Sequence, residues 1–71
     1  MREQKKDKLR RSRELSAYED EIRSIRNSLD EAYAHFNTTT DPDALDACIF
    51  EISALRARYN TALKHYRERY Y

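Results

Sequence analysis

The sequence predicts an all-α protein: a coiled-coil-like antiparallel two-helix hairpin, completed as a helical bundle by self-association or by a partner helix. Glycine is absent, proline occurs once, and 38% of the residues are charged. The two-residue turns of β-hairpins depend on glycine, so this composition disfavours a β-fold. Apolar residues also recur at alternating spacings of three and four on both sides of the proline, which is the pattern of coiled-coil helices.

Each predicted helix carries one apolar stripe. The first contains Leu15, Tyr18, Ile22, Ile25, Leu29, Ala32 and Phe36, and the second contains Leu45, Cys48, Ile52, Leu55, Tyr59, Ala62 and Tyr66. Flanking residues widen both stripes, namely Tyr33 in the first helix and Ile49, Leu63 and Tyr70 in the second. Folding the chain at the proline aligns the stripes and sets Ile25, Leu29, Ile52 and Leu55 in a central layer. Because the stripes are wider than a two-stranded seam needs, bundle packing is expected, with Tyr33, Ile49 and Leu63 as the self-association surface.

The segment "NTTTDPDALD", residues 37–46, is interpreted as the corner between the helices. Asp41 before Pro42 favours Asp41 as the N-cap and Pro42 as the first helical residue, and Asp43 complements the helix dipole in the first turn. A calcium loop is excluded because Leu45 stands where an oxygen ligand is required. The corner is therefore a turn and not a ligand site.

These signals predict one domain over residues 12–71, with helix 1 at about 13–37, the corner at 38–41 and helix 2 at about 42–69. Residues 1–11 are expected to form a frayed basic arm, because so many cations are unfavourable at a helix N-terminus. The longest apolar run, residues 47–50, is too short to cross a membrane. A single cysteine is consistent with a reducing compartment, and a cytoplasmic location is expected.

Charge is unevenly distributed, although the total is only +1. Residues 1–13 carry +5 and residues 56–71 carry +4, whereas the two segments between them, 14–35 and 36–55, carry −4 each. The open end of the hairpin is thus basic and could attract phosphates. The candidate nucleic-acid contacts are Lys5, Lys6, Lys8, Arg10, Arg11, Arg67, Arg69, Tyr70 and Tyr71, since cations and stacking aromatics together bind single strands.

No constellation of residues predicts catalysis, a metal, a cofactor or a small-molecule substrate. The two histidines, His35 and His65, are expected at opposite ends of the hairpin, roughly 25–30 Å apart at the helical rise, so they cannot share a metal. Cys48 is expected to be a small buried core residue. A catalytic thiol would need an activating base, and the sequence predicts only a mobile neighbour for that role.

The stretch "HFNTTTDPDALDACIFEISALRARYNTAL" resembles the YaaL-like family, small uncharacterised proteins of Gram-positive bacteria. The matching residues are Phe36, Thr40, Asp41, Pro42, Leu45, Asp46, Ile49, Phe50, Glu51, Ala54, Arg58 and Tyr59. The resemblance covers essentially the whole chain and implies a cytoplasmic helical protein, encoded near DNA-recombination and replication genes, with no catalytic residues assigned.

A second family of short two-helix proteins, the aspartyl-phosphate phosphatases of response regulators, fits less well. Its motif needs a serine and an aspartate four residues apart on helix 2, whereas here Ser53 is followed by Ala57. The sequence therefore favours a non-enzymatic interaction or adaptor protein that pairs with itself or with a partner helix. The alternative is a small nucleic-acid-associated protein that uses the basic open end.

Overall fold

A computed structural model describes the backbone of residues 2–70 and the side chains of residues 7–70. The described chain contains two α-helices, α1 (Arg2–Thr38) and α2 (Pro42–Tyr70), packed against each other, and no strand. Cross-helix contacts occur at both ends, between His35 and Cys48 near the corner and between Glu14 and Arg69 at the open end. The helices are thus antiparallel and aligned over the length of α2, and the predicted all-α hairpin is confirmed.

The corner is built by short-range chemistry. The Asp41 carboxylate Oδ2 accepts a hydrogen bond of 3.1 Å from the Ala44 N–H, and the Asp41 carbonyl accepts the first helical bond from the Leu45 N–H at 2.9 Å. Asp41 therefore caps α2, and Pro42 is its first residue, where a missing N–H costs nothing.

The last turn of α1 is closed by threonines. The Thr38 and Thr39 hydroxyls both donate to the His35 carbonyl, at 3.2 and 2.8 Å, and the Thr39 N–H donates to the same oxygen at 3.1 Å. These bonds satisfy a carbonyl that the end of the helix leaves without an intrahelical partner. The connection between the two helices is consequently only three residues long, residues 39–41.

α1 begins at Arg2, well before the start near residue 13 that the sequence predicted. Residues 2–13 contain neither glycine nor proline, and Arg10 pairs with Asp7 at 2.9 Å one turn earlier, which supports a helix. Fraying of residues 1–11 stays a prediction. Because α1 has 37 residues and α2 has 29, the N-terminal end of α1 projects about 12 Å beyond α2 at the helical rise.

The buried seam is a single row of small and medium side chains. It consists of Ile25, Ala32, Cys48, Leu55 and Ala62, each between 2% and 8% exposed. The row repeats every seventh residue on each helix, so these are the positions that point straight at the opposite helix. Of the predicted central layer, Ile25 and Leu55 belong to this row, whereas Leu29 and Ile52 are only half-buried.

The hairpin is an elongated rod of 61 × 17 × 13 Å. Its radius of gyration is 17.2 Å, against about 11 Å for a compact domain of the same length. Two helices side by side therefore leave most apolar side chains on a surface and do not enclose a globular core.

Candidate interaction surface

The apolar stripes of both helices divide into two rows that differ in burial. The row containing the buried seam faces the opposite helix. The other row is half-buried throughout; its members are Leu15, Ile22, Leu29, Phe36, Leu45, Ile52, Tyr59 and Tyr66. Five of these eight positions lie three residues before a buried seam residue and the other three keep the same heptad spacing, so the whole row is rotated to one side of the contact between the helices.

The half-buried rows of α1 and α2 lie on the same side of the hairpin. An antiparallel pair is related by a two-fold axis perpendicular to the plane of the helices, and such an axis keeps equivalent positions on the same side. A groove of about 230 Å³ shows the juxtaposition directly, since it is lined by Ile22 of α1 together with Leu63 and Tyr66 of α2. We call this side, comprising the half-buried row and its flanking residues Tyr33, Ile49, Leu63 and Tyr70, the front face.

The residues predicted for self-association all lie on the front face. Tyr33 is 43% exposed, Ile49 is 49% exposed, and Leu63 is half-buried beside the groove. Each lies four residues after a half-buried row position and therefore at the outer margin of the front face. Phe50 is 75% exposed. It follows Ile49 in the sequence, and because one helical residue turns the side chain by about 100°, it lies on another side of α2 and outside the front face.

The surface area of the chain exceeds that of an ordinary small protein. The accessible surface is 6214 Å², whereas a compact monomer of this mass exposes about 4,700 Å². The difference of about 1,500 Å² is the surface that a rod-shaped hairpin fails to bury. Apolar side chains of the front face contribute to this exposed surface, among them Tyr33 and Ile49, and contiguous exposed apolar surface marks interaction sites in natural proteins.

Charge changes sign along the rod. The corner half, residues 26–55, contains one arginine and six acidic residues, a net charge of −5. The open half, residues 1–25 and 56–71, contains thirteen cations and seven anions, a net charge of +6. The contact between Glu14 and Arg69 places the last turns of α2 beside the beginning of the α1 stripe and not beside residues 2–10, which project past α2. The molecule is therefore an electric dipole along its long axis.

Part of the predicted phosphate-binding set lines a cleft at the open end. The cleft has a volume of about 640 Å³, and its cationic lining residues are Lys8, Arg10, Arg11 and Arg69. Two of these are already paired, because Arg10 bonds Asp7 at 2.9 Å and Arg69 bonds Glu14 at 2.6 Å. The Glu14 carboxylate raises the pKa of the Arg69 guanidinium above its ordinary value. Arg67 is exposed in the last turn of α2, whereas the side chains of Lys5, Lys6 and Tyr71 lie outside the described residues.

Tyr70 packs within the hairpin. Its ring meets Tyr18 edge-on at a centroid distance of 6.0 Å and Tyr66 at 5.4 Å, and the residue is half-buried. Such contacts between aromatic rings stabilise the packing of the helices at the open end. Tyr70 was predicted to be a spare aromatic for base stacking, and this contact with two other rings makes it a packing residue instead.

Cys48 has a neighbour that the sequence did not predict. Its Sγ lies 3.3 Å from the Nδ1 of His35, across the corner. His35 was expected near the corner, but a fixed imidazole at the thiol was not, because that contact depends on the rotation of α1 about its axis. The thiol is only 2% exposed, so a substrate does not reach it in this conformation.

The described residues contain neither a metal-binding cluster nor a membrane-spanning helix. No cluster of three or more histidine, cysteine, aspartate or glutamate side chains is arranged to hold a metal ion there. Neither α1 nor α2, over the part of the chain that was described, is both long and apolar enough to span a membrane.

The chain was compared with known protein families, curated proteins and solved structures. Nothing among them matches it. The resemblance to the YaaL-like family therefore stays a prediction.

Proposed function

We propose that this protein is a non-enzymatic interaction module whose front face binds another α-helical chain. The observation that carries the proposal is the continuous half-buried row along both helices, from Leu15 and Tyr66 at the open end to Phe36 and Leu45 at the corner. The half-buried rows of α1 and α2 form two ridges with a groove between them. One or two further helices can pack against these ridges, as in a four-helix bundle. Binding would remove from water the apolar area that the hairpin leaves exposed.

A binding role is favoured over catalysis by the position of the reactive groups. The thiol of Cys48 is buried in the seam. The cleft at the open end is lined by the two ion pairs, by Lys8 and Arg11, and by Tyr70. Neither place combines an accessible nucleophile with a general base, which acyl or phosphoryl transfer would require.

Site-specific photo-crosslinking in the native cell tests the proposal. A photoreactive phenylalanine analogue replaces Ile49 or Leu63 on the front face, and Phe50 in the control chain. Phe50 is the matched control because it neighbours Ile49 but is 75% exposed on another side of α2. The front-face positions should give a discrete protein adduct that the control lacks. Equal adduct patterns from both positions would contradict the proposal.

A second candidate function is nucleic-acid association through the projecting end of α1. It is favoured by the cleft at that end, where Lys8, Arg10 and Arg11 lie exposed within about one helical turn. Anisotropy titration of labelled single- and double-stranded DNA and RNA tests it. Binding that persists near physiological salt, and that weakens when residues 1–11 are deleted, would support this function. A lack of binding even at low salt would exclude it.

A further inference from the structure

We infer that the front face is covered by a second copy of the same chain, and that the two hairpins lie antiparallel, with the basic arm of each copy against the acidic corner of the other. The basic arm is residues 2–13, and the acidic corner is residues 41–46. This inference rests on the proposed function, because it names the occupant of the front face. The structure and the sequence support it by area, by charge and by length.

The exposed area is large enough for a homodimer interface. Each chain exposes about 1,500 Å² more than a compact protein of its mass, polar and apolar surface together. Two copies therefore carry about 3,000 Å² of such excess, which leaves room for an interface of about 2,000 Å², the lower end for obligate homodimers. A single added helix would cover one groove but leave the margins at Tyr33 and Ile49 in water.

Two symmetric arrangements bring the front faces together. In a parallel dimer the two-fold axis runs along the rod, and both corners lie at the same end. In an antiparallel dimer the axis crosses the rod, and each corner lies beside the open end of the other copy. Both arrangements give four helices with antiparallel neighbours, so packing direction alone does not choose between them.

Charge chooses the antiparallel arrangement. No lysine or arginine occurs between Arg26 and Arg56, and the acidic corner holds Asp41, Asp43 and Asp46, all exposed. A parallel dimer would place two corner halves of −5 side by side and two open halves of +6 side by side. The antiparallel dimer places opposite signs together at both ends, which favours encounter and suppresses the wrong orientation.

The positions of the apolar rows agree with the same arrangement. When the rows of the two copies are superposed end to end in opposite directions, residues 10–12 of one copy lie level with the corner residues 39–41 of the other. Arg10, Arg11 and Arg13 of the basic arm are therefore the cations that lie nearest the partner's corner. In this register Ile49 of one copy lies level with Leu63 of the other, so an exposed apolar side chain finds an apolar neighbour.

Charge reversal of each end tests the orientation. The arm variant carries Lys8→Glu, Arg10→Glu and Arg11→Glu, and the corner variant carries Asp43→Lys and Asp46→Lys, with the Asp41 cap kept. In the antiparallel dimer each variant alone brings like charges together, and its dimer Kd should rise about tenfold or more at low salt. An equimolar mixture restores opposite charges at both ends, and its heterodimer should bind about as tightly as the wild type.

A parallel dimer gives a different result, because reversing one end then replaces one like-charged pair by another. Arm-variant dimers as tight as the wild type would overturn the antiparallel orientation. A wild-type dimer that tightens with added salt would overturn it too, since salt weakens attraction between opposite charges. Helix content measured by circular dichroism in each sample shows that the variants are folded.

A distance measurement supplies an independent check. Thr40→Cys in a Cys48→Ala chain carries one spin label at each corner. The label separation should be on the order of 40–45 Å in the antiparallel dimer, which is the length of α2, and below about 20 Å in the parallel dimer, which is two helix spacings. A short separation contradicts the inference.

The inference and the proposed function fail in distinguishable ways. A wild-type chain that is monomeric at about 100 µM would overturn self-pairing, while crosslinks from Ile49 to a different protein would still support the front face as a binding surface. Both would be contradicted if aspartate at Ile49 and Leu63 left the dimer intact and the front-face positions gave no crosslink.

Discussion

At the scale of single residues, packing between the helices depends on small side chains at one row of positions. Ala32, Cys48 and Ala62 are nearly inaccessible, and they allow the helices to approach closely. Ile25 and Leu55 fill the space between them and are the only large side chains that are buried among the described residues. Shortening either of these two should therefore cost more than shortening any side chain of the half-buried row.

Leu55→Ala is expected to lower the free energy of unfolding by about 2–5 kcal/mol, because it removes a buried side chain and leaves a cavity at the centre of the hairpin. Phe50→Ala is the control, since Phe50 is 75% exposed, and it should change stability by less than about 0.5 kcal/mol. Urea denaturation followed by circular dichroism at one fixed protein concentration measures both. Equal losses from the two substitutions would contradict the assignment of the seam.

The Cys48 thiol should react slowly with iodoacetamide in the native protein, about a hundredfold slower than in urea, because the sulfur becomes accessible only when the helices separate. The control is Leu9→Cys in a Cys48→Ala chain, since Leu9 is 59% exposed on the projecting end of α1. Its thiol should react at the same rate in both conditions. Fast native alkylation of Cys48 would show that the seam opens readily.

At the scale of the elements, the corner is determined by local chemistry and the ends of the helices are not. The Asp41 cap and Pro42 act within one turn, so their roles follow from the sequence and are present in the structure. The start of α1 depends on a balance between an unfavourable dipole interaction and the absence of any helix-breaking residue. Because these signals oppose each other, the sequence predicted that the helix starts near residue 13, whereas it begins at Arg2.

Asp41→Ala is expected to destabilise the protein by about 0.5–2 kcal/mol, because the Ala44 N–H loses its hydrogen-bond acceptor at the start of α2. Asp46→Ala removes an equal charge near the start of α2 without removing the cap, and it should cost less. Thermal denaturation of both variants at matched concentration distinguishes capping from charge. A larger loss from Asp46→Ala would contradict the capping role of Asp41.

At the scale of the whole molecule, the fold was predictable and the division of its apolar surface was not. Heptad spacing and one corner determine a hairpin. The same spacing places large side chains such as Ile22 and Ile25 in two rows that look alike in the sequence. Which row becomes buried depends on how far each helix rotates about its axis. The small residues Ala32 and Ala62 were the one sequence signal that could have identified the buried row, since small side chains allow two helices to approach each other closely.

The candidate site was predictable to a similar degree. Tyr33, Ile49 and Leu63 lie on one face, as their spacing indicates. The contact between Cys48 and His35 and the packing of Tyr70 on Tyr18 were not predicted, because both join residues of different helices. The alignment of the last turns of α2 with the beginning of the α1 stripe was not predicted either, since it too depends on how the two helices pack.

Sedimentation equilibrium of the wild-type chain, at concentrations from about 1 to 100 µM, tests the central claim most directly. One chain has a mass of 8.6 kDa. We expect about twice that mass for the wild type, and the single-chain mass for Ile49→Asp with Leu63→Asp, because two carboxylates would be forced into an apolar contact. Phe50→Asp is the control and should keep the dimer mass. A single-chain mass for the wild type at every concentration would contradict the covering of the front face by a second copy.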